Sequence, residues 1–290
     1  MNTITSEVRS QIVAELKKQR ENFGSDRAHA TAIGINAGTY SQIMAGNFYK
    51  TLSDAQWTSL ARQTGINLRG KAKWRTALTP VYNNVIKQLQ KCQQDSICGI
   101  LVDDADVGKT HAAKEYAANN KFVAYVDCSL CKTRREMVAA IAKAFGVKHE
   151  GRFKDIRDDL IYYINNYAEK PLVILDEAGD LDPAARLELK ALWNGTERNC
   201  GWYQMGADGL KEVVRRGIEG RRVGFVETYS RYGNKFQRFT PEGKEDREKF
   251  SMTQAALIIK ANAPEGTDIQ KVLFKTKGSL RRIYTELSKL

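Results

Sequence analysis

The sequence contains no long apolar segment and no cysteine arrangement of the kind that builds a disulfide framework. Its five cysteines are an odd number, and only Cys128 and Cys131 form a C-x-x-C, without a second Cys/His pair at zinc spacing. No apolar run approaches the roughly 18 residues that span a bilayer, and the N-terminal residues lack a signal-peptide core. These absences argue against a secreted disulfide scaffold and a membrane protein. We expect a soluble cytoplasmic protein with reduced thiols.

Positive charge is in excess, since 46 lysines and arginines face 34 acidic residues, for a net charge of +12. A balance this basic favours an acidic polymer as partner, with nucleic acid first and an anionic membrane surface second. The 290 residues exceed one average domain. We therefore expect a main domain with a smaller appended one.

Residues 96–118 combine an apolar run at 97–102, a loop that ends in Gly108-Lys109-Thr110, and an alanine-rich helical pattern. In a phosphate loop the backbone amides and the N-terminus of the following helix bind phosphates, the lysine reaches the β- and γ-phosphates, and the hydroxyl binds Mg²⁺. Lys109 and Thr110 suit these two roles. The predicted nucleotide-binding residues are Asp106, Val107, Gly108, Lys109, Thr110 and His111.

Residues 172–180 supply the second half of the same site. Four apolar residues are followed by Asp176 and Glu177, which places two carboxylates at the carboxyl end of a buried parallel strand. Asp176, with Thr110, is the predicted Mg²⁺ ligand, and Glu177 is the predicted water-activating base. The predicted cofactors are therefore ATP and Mg²⁺.

Two aspartates depart from the phosphate-loop pattern. The pattern G-x-x-x-x-G-K-[ST] has glycine where this chain has Asp103, and the inner position that is usually glycine is Asp106. Glycine suits these positions because the backbone needs a positive φ and must approach the phosphates closely. A carboxylate there repels a triphosphate. Either nucleotide binds weakly, with both aspartates turned outward, or hydrolysis is lost while the fold is retained.

The N-terminal residues show helical spacing at 7–20, 26–33, 37–45 and 52–64, with Gly34-Ile35-Asn36 between the second and third segments. Two short helices joined by a three-residue turn with glycine are typical of a helix-turn-helix, whose second helix enters the DNA major groove. The predicted DNA contacts here are Thr39, Tyr40, Gln42 and Lys50. A small helical bundle that docks a protein is the alternative.

The remaining pattern alternates between strands and helices, which predicts a parallel α/β sheet with its ligand at the carboxyl ends of the strands. Further strands are predicted at 122–126, 172–175 and 202–206, and helices at 81–94, 134–145, 153–167, 183–192, 210–218, 251–259 and 278–290. The predicted domains are a helix-turn-helix domain at 1–66, a basic linker at 67–80, a P-loop core at 81–245 and a helical lid at 246–290.

The order of these motifs resembles the AAA+ ATPases. The phosphate loop and the Asp-Glu strand are followed by a strand that ends in Met205-Gly206, the pair Ser230-Arg231, and Gly278-Ser279-Leu280-Arg281. With a helix-turn-helix in front, the sequence is most similar to the DNA-binding ATPases that serve transposases, the family of phage Mu transposition protein B. The resemblance implies an α/β fold with an AAA+ P-loop core, an N-terminal all-helical domain and a small C-terminal helical lid.

Three catalytic roles follow from the resemblance. Glu177 would orient the attacking water, Arg231 would be an arginine finger that reaches a neighbouring subunit's nucleotide, and Arg281 would sense the γ-phosphate from the lid. A surface salt bridge is the alternative role of Arg231. The polar residue expected after the Met-Gly strand has no clear counterpart, because Ala207 comes first and Asp208 one step later.

The resemblance also implies partners. Loops that line the DNA channel in such proteins would here present Lys132, Arg134, Arg135, Lys148, Arg152 and Lys154 to double-stranded DNA. The protein would form a homo-oligomeric ring or helical filament on DNA when ATP is bound, and would deliver target DNA to a transposase. Two alternatives stay open: a non-hydrolysing DNA-binding regulator with a degenerate ATPase domain, and a helicase loader.

Overall fold

The computed structural model describes residues 4–49, 51–66, 68 and 74–289. Lys50, a predicted DNA contact, lies outside the described residues. So do Arg69, Lys71 and Lys73 of the predicted linker. Over the ranges just given, no helix is both long enough and apolar enough to cross a membrane.

Four N-terminal helices pack around a core of their own, in which Ile12, Leu16, Ile43, Trp57 and Leu60 are buried. They are α1 (Ser6–Arg20), α2 (Asp26–Ile33), α3 (Ala37–Met44) and α4 (Asp54–Thr64). Gly34 ends α2 in the left-handed conformation, and the Asn36 side chain accepts a hydrogen bond from the Thr39 amide at the start of α3. The predicted helices and the three-residue connection are therefore present.

The structure removes Tyr40 from the predicted DNA contacts. Its side chain is 1% exposed, and its hydroxyl lies 2.9 Å from Nδ1 of the equally buried His29. Tyr40 precedes Ile43 by three residues, which places both on the core face of α3. The prediction for Tyr40 is wrong because a buried histidine satisfies its hydroxyl. Gln42 is exposed and Thr39 is half-buried.

The N-terminal helices contact the rest of the protein through the turn after α1 and the start of α2. The Asn22 carbonyl accepts a hydrogen bond from the Phe122 amide at 3.4 Å, and the Asn22 side chain donates to the Ala118 carbonyl. Gly146, at φ 72°, lies directly against the backbone of Ala28. This end of the helical unit is therefore fixed beside the sheet.

In the described part of the chain, four parallel strands form one sheet in the order β1-β4-β3-β2. They are β1 (Cys98–Val102), β2 (Val123–Asp127), β3 (Leu172–Asp176) and β4 (Gly201–Gly206). Beyond β1, Gln237 extends the sheet by a single parallel bridge to Leu101. The strand β3 is buried along its whole length, which explains its continuous apolar sequence.

Helices cover both faces of the sheet, which gives the α/β fold of a P-loop domain. On one face α5 (Pro80–Asp95) and α6 (Lys109–Asn119) pack with Leu101 and Met205. The other face carries α7 (Arg134–Ala144), α8 (Phe153–Asn166), α9 (Pro183–Gly195) and α10 (Asp208–Glu219). Because every strand is parallel, β1 and β3 both end at the same edge of the sheet.

The C-terminal part contains α11 (Phe225–Arg231), α12 (Lys244–Asn262), α13 (Ile269–Thr276) and α14 (Leu280–Leu287). The sequence did not predict α11 or α13, and α12 is longer than predicted. The last three helices share a small core of Ala255, Ile259, Leu273, Ile283 and Leu287, against which Trp74 packs. This small unit stands beside the phosphate loop.

Candidate functional site

A cavity of about 450 Å³ opens where β1 and β3 end, between the phosphate loop, α5 and the C-terminal helices. Its lining consists of Trp74, Ala77, Thr79, Tyr82, Ala105, Asp106, Val107, Gly108, Lys109, Thr110, His111, Lys114, Glu177, Ala207, Ile258, Leu280, Arg281 and Tyr284. The structure therefore brings together all six predicted nucleotide-binding residues with Glu177 and Arg281.

The phosphate loop leads directly into α6. Gly108, at φ 96°, is the N-cap residue, and no side chain caps the first turn of the helix. The amides of that turn are left without side-chain partners, which is the arrangement that binds anions at helix N-termini. A residue with a Cβ is strained at such a φ, so glycine is required here.

Lys109 is 7% exposed, and its ammonium donates to the carbonyl oxygens of Asp103 at 2.8 Å and Asp104 at 2.6 Å. Burial lowers the pKa of Lys109, and the nearby carboxylates, Asp103 and Glu177 foremost, oppose that shift. The lysine is thus folded onto the loop that carries it, with its charged group buried at the cavity.

Asp176 is a buried carboxylate, and Glu177 is a more exposed one whose side chain is still partly removed from water. Asp176 is 2% exposed and accepts hydrogen bonds from the Tyr125 hydroxyl at 2.7 Å and from the Glu177 amide at 2.9 Å. Glu177 has a left-handed backbone at φ 49° and lines the cavity. Burial, and then the charge of Asp176, raises the pKa of Glu177. A raised pKa makes this carboxylate a better proton acceptor.

The residues present fit ATP and Mg²⁺. The Thr110 hydroxyl and the Asp176 carboxylate are oxygen ligands of the type that Mg²⁺ takes, together with phosphate oxygens and water. At the other end of the cavity, Trp74 and Tyr284 have ring centroids 5.1 Å apart and lie beside Tyr82 and Ile258. The cavity therefore has a charged end for phosphates and an apolar end for a base.

The apolar end was not predicted from the sequence. Trp74 lies in a segment read as a basic linker, and Tyr284 lies in the C-terminal helix α14. An isolated tryptophan among four basic residues was the available signal, but its partner is more than two hundred residues away in the chain. Only the folded structure pairs the two rings.

Asp103 does not behave as expected. Its side chain is fully buried and absent from the cavity lining, so it is neither turned outward nor placed against a phosphate. It accepts hydrogen bonds from the amides of Phe239 at 2.8 Å and Thr240 at 3.1 Å. A carboxylate at this position therefore anchors the end of β1 to residues 239–240, which glycine could not do.

Asp106 faces the C-terminal helices and not the solvent. Its backbone is left-handed at φ 61°. Its carboxylate accepts hydrogen bonds from the Ser279 hydroxyl at 2.7 Å and the Arg281 amide at 3.1 Å, and lies 3.8 Å from Nε of Arg281. The expectation that it turns outward is wrong, since α14 supplies its partners.

Arg238, which was not a predicted site residue, holds the phosphate loop from outside. Its side chain is ion-paired with Asp104, donates to the Thr240 carbonyl at 3.1 Å and lies 3.9 Å from Asp208. Asp208 is therefore turned toward Arg238, and Ala207 lines the cavity after β4. Among the residues that line the cavity, alanine therefore takes the position directly after β4 where a polar residue was expected.

Arg231 is not brought to this cavity. It ends α11, donates to the Asn194 side chain and lies over the Trp193 ring at 5.5 Å. Within its own chain, Arg231 therefore contacts the Asn194 amide and the Trp193 indole near the end of α9.

The six basic residues predicted to line a DNA channel are all exposed: Lys132, Arg134, Arg135, Lys148, Arg152 and Lys154. Two contacts join the group at the start of α7 with the group before α8. Arg134 lies over the Phe153 ring at 5.1 Å, and Arg135 donates to the Gly151 carbonyl at 2.8 Å. Lys132 pairs with Asp180 at 3.5 Å. The two groups thus share one basic surface, and its use on DNA stays a prediction.

Residues 98–214 match the family model described as AAA domain. This region runs from β1 into α10 and includes both the phosphate loop and the Asp176–Glu177 pair. The match supports an AAA+ P-loop ATPase family and nucleotide-binding ATPase activity, for which Mg²⁺ is the typical metal. It includes neither α1 to α4 nor α12 to α14. None of the curated proteins matches the sequence significantly.

Proposed function

We propose that this protein is an ATP-dependent DNA-binding protein of a mobile element, which oligomerises on double-stranded DNA and delivers target DNA to a transposase. One observation carries the proposal: the pair Lys109-Thr110, Glu177 and Arg281, which are far apart in the chain, line one cavity. Asp176 directly precedes Glu177 in the chain. The transposase and the assembly rest on the resemblance to the family of phage Mu transposition protein B.

Each residue of the site has its own role in ATP hydrolysis, set by its position. Lys109 and the α6 amides would bind the phosphates, while Thr110 and Asp176 would hold Mg²⁺, whose charge would offset the charge that develops on the phosphate oxygens. Glu177 orients the attacking water and accepts its proton. Arg281 binds the γ-phosphate from the side of α14.

DNA would be bound on two surfaces. The exposed residues of α3, with Gln42 foremost, would enter the major groove. The basic surface at the starts of α7 and α8 would contact the phosphate backbone. Such phosphate contacts are independent of base sequence and weaken steeply with salt.

Arg231 lies outside its own chain's cavity, which supports a role on a neighbouring subunit's nucleotide. A triphosphate bound between Lys109 and a neighbour's Arg231 would join two subunits, and loss of the γ-phosphate would release them. ATP would therefore favour assembly on DNA and hydrolysis would favour disassembly.

A non-hydrolysing DNA-binding regulator is the second candidate. The observation that favours it is that two cations of the site already have partners: the Lys109 ammonium binds loop carbonyls, and Arg281 lies beside Asp106. In that case the cavity would be a nucleotide sensor or a relic.

Electron microscopy with linear duplex DNA, with and without ATP, tests the proposal when hydrolysis is measured in the same samples. Ordered filaments or rings that need both ATP and DNA, with DNA-stimulated hydrolysis lost in Lys109→Ala, are expected. Normal DNA binding with no effect of nucleotide on assembly or hydrolysis would select the regulator instead.

A further inference from the structure

Asp106 connects the phosphate loop to the C-terminal helices. Its carboxylate lies at the first turn of α14, where it accepts hydrogen bonds from the Ser279 hydroxyl and the Arg281 amide. The Arg281 guanidinium is 3.8 Å away. A helix N-terminus with an adjacent arginine attracts anions, and here an aspartate of the protein itself is the bound anion.

The same loop also binds Lys109, which lines the cavity, and Arg247, which lies outside the cavity lining. Lys109 donates to the carbonyls of Asp103 and Asp104, and the Asp104 carboxylate lies 3.4 Å from Arg247 of α12. Two aspartates of the loop, Asp104 and Asp106, thus bind two different helices of the C-terminal unit. A phosphate that enters the cavity therefore meets Lys109 and Arg281 with partners already in place.

We infer that Asp106 is an intramolecular competitor of the γ-phosphate for Arg281 and the start of α14, and that it therefore determines how strongly the protein distinguishes ATP from ADP. The inference rests on the proposed function, since it requires nucleotide in this cavity. Asp106 replaces a residue that is usually glycine, so the competing carboxylate is a feature of this chain's loop.

The loss of the Asp106 carboxylate should change ATP affinity and ADP affinity by different amounts, because only ATP has a γ-phosphate that would reach Arg281. The phosphates that both nucleotides share bind Lys109 and the α6 amides, and a negative charge on Asp106 weakens both by repulsion. The γ-phosphate alone must also displace the Asp106 carboxylate from α14. Removal of that carboxylate should therefore strengthen ATP binding more than ADP binding.

The size of the effect follows from the contacts. An exposed ion pair such as Asp106 with Arg281 contributes little, but each hydrogen bond to a charged group changes an equilibrium constant by about tenfold or more. A tenfold gain in affinity corresponds to about 1.4 kcal/mol, so an increase of that order for ATP is the expected result.

The test measures ATP and ADP affinity, with Mg²⁺, for the full chain and three variants. Asp106→Asn keeps a residue that tolerates φ 61° and removes the charge, while Asp106→Gly removes every contact and all backbone strain. Asp208→Asn is the matched control, because it removes one negative charge beside Arg238, outside the cavity lining. Thermal unfolding without nucleotide checks that each variant is folded.

We expect Asp106→Gly to tighten ATP binding about tenfold and ADP binding by about threefold at most, because only the γ-phosphate gains the α14 groups that Asp106 releases. Asp106→Asn should act in the same direction and less strongly, and Asp208→Asn should change either affinity less than about twofold. An equal gain in ATP and ADP affinity would mean that Asp106 acts only by charge repulsion, and this would overturn the inference. No gain in either affinity would overturn it as well. If neither nucleotide binds any of the folded proteins, the proposed function itself fails.

Discussion

At the scale of single residues, the phosphate loop shows that a change of residue type need not mean a loss of the site. Asp103 and Asp106 both stand where glycine is usual, yet Asp103 binds the amides of Phe239 and Thr240, and Asp106 binds Ser279 and Arg281. Their partners are more than 130 residues away in sequence. No local pattern could have predicted which way either carboxylate turns.

Glu177→Gln should leave Mg·ATP binding intact and reduce hydrolysis by about 100-fold or more, because it removes the proton acceptor and keeps the shape of the side chain. Steady-state hydrolysis and a separate binding titration measure the two effects. Asp180→Asn is the control, since Asp180 pairs with Lys132 and lies outside the cavity lining. A hydrolysis rate that stays within threefold of wild type would remove Glu177 from the mechanism.

The pH dependence of hydrolysis follows from the same residue. Glu177 must be deprotonated to accept a proton, and burial with the charge of Asp176 raises its pKa above the ordinary 4.5. Activity should therefore fall, as pH decreases, at a higher pH than an unperturbed carboxyl group would give. A rate profile that stays flat down to pH 4.5, in a protein that remains folded, would contradict this assignment.

His29 should make the N-terminal helices sensitive to acid. Burial lowers the pKa of His29 from 6.5 to about 4, so the folded state excludes a proton that the unfolded chain binds. This contribution to stability is complete above pH 6.5 and falls as pH decreases through 4, by about 3 kcal/mol in all. Thermal unfolding of wild type and His29→Gln from pH 7 to 4.5 measures the difference. Parallel curves for the two proteins would show that His29 does not cause the loss.

At the scale of elements, the strands were the most predictable parts. Their apolar runs are continuous because the sheet is buried, and each predicted strand end lies within one residue of the observed end. The short helices α11 and α13 were missed, whereas α2 and α3, of eight residues each, were recognised because the Gly34-Ile35-Asn36 turn separates them. Tyr40 was wrongly predicted because it combines a polar hydroxyl with a position three residues before Ile43, which places it on the core face of α3.

Gly146→Ala should loosen the contact between the end of α7 and the start of α2. A Cβ there would lie 2.2 Å from the Ala28 carbonyl oxygen, on a backbone at φ 72°. Gly233→Ala is the matched control, with φ 68° and no atom within 4 Å of the added Cβ, so it carries only the backbone cost of about 1 kcal/mol. Urea unfolding should show a clearly larger loss for Gly146→Ala. Equal losses would mean that the helices are not packed as described.

At the scale of the whole molecule, the sequence indicated which segments carry the chemistry but not how they meet. The cavity needs the phosphate loop, β3, α14 and Trp74, and these come from the beginning, middle and end of the described chain. Parallel strand order predicted that Lys109 and Asp176 share an edge. The placement of α14 against Asp106 and the pairing of Trp74 with Tyr284 depend on tertiary packing, which has no periodic signal.

Arg231 should act between subunits. Lys109→Ala and Arg231→Ala are each expected to be inactive, but a 1:1 mixture should recover activity, since about one in four random interfaces pairs an intact cavity with an intact arginine. Hydrolysis with duplex DNA, before and after mixing, measures the recovery. Activity no greater than the sum of the two variants would leave Arg231 as a partner of Asn194 and Trp193 alone.

Calorimetric titration of the full chain with Mg·ATP tests most directly whether a triphosphate is held between Lys109 and the Asp176–Glu177 end of β3. One binding event per chain is predicted, with a higher melting temperature at saturating Mg·ATP, and both effects should be lost in folded Lys109→Ala. No heat and no thermal protection for the wild-type protein, with or without duplex DNA, would contradict the account.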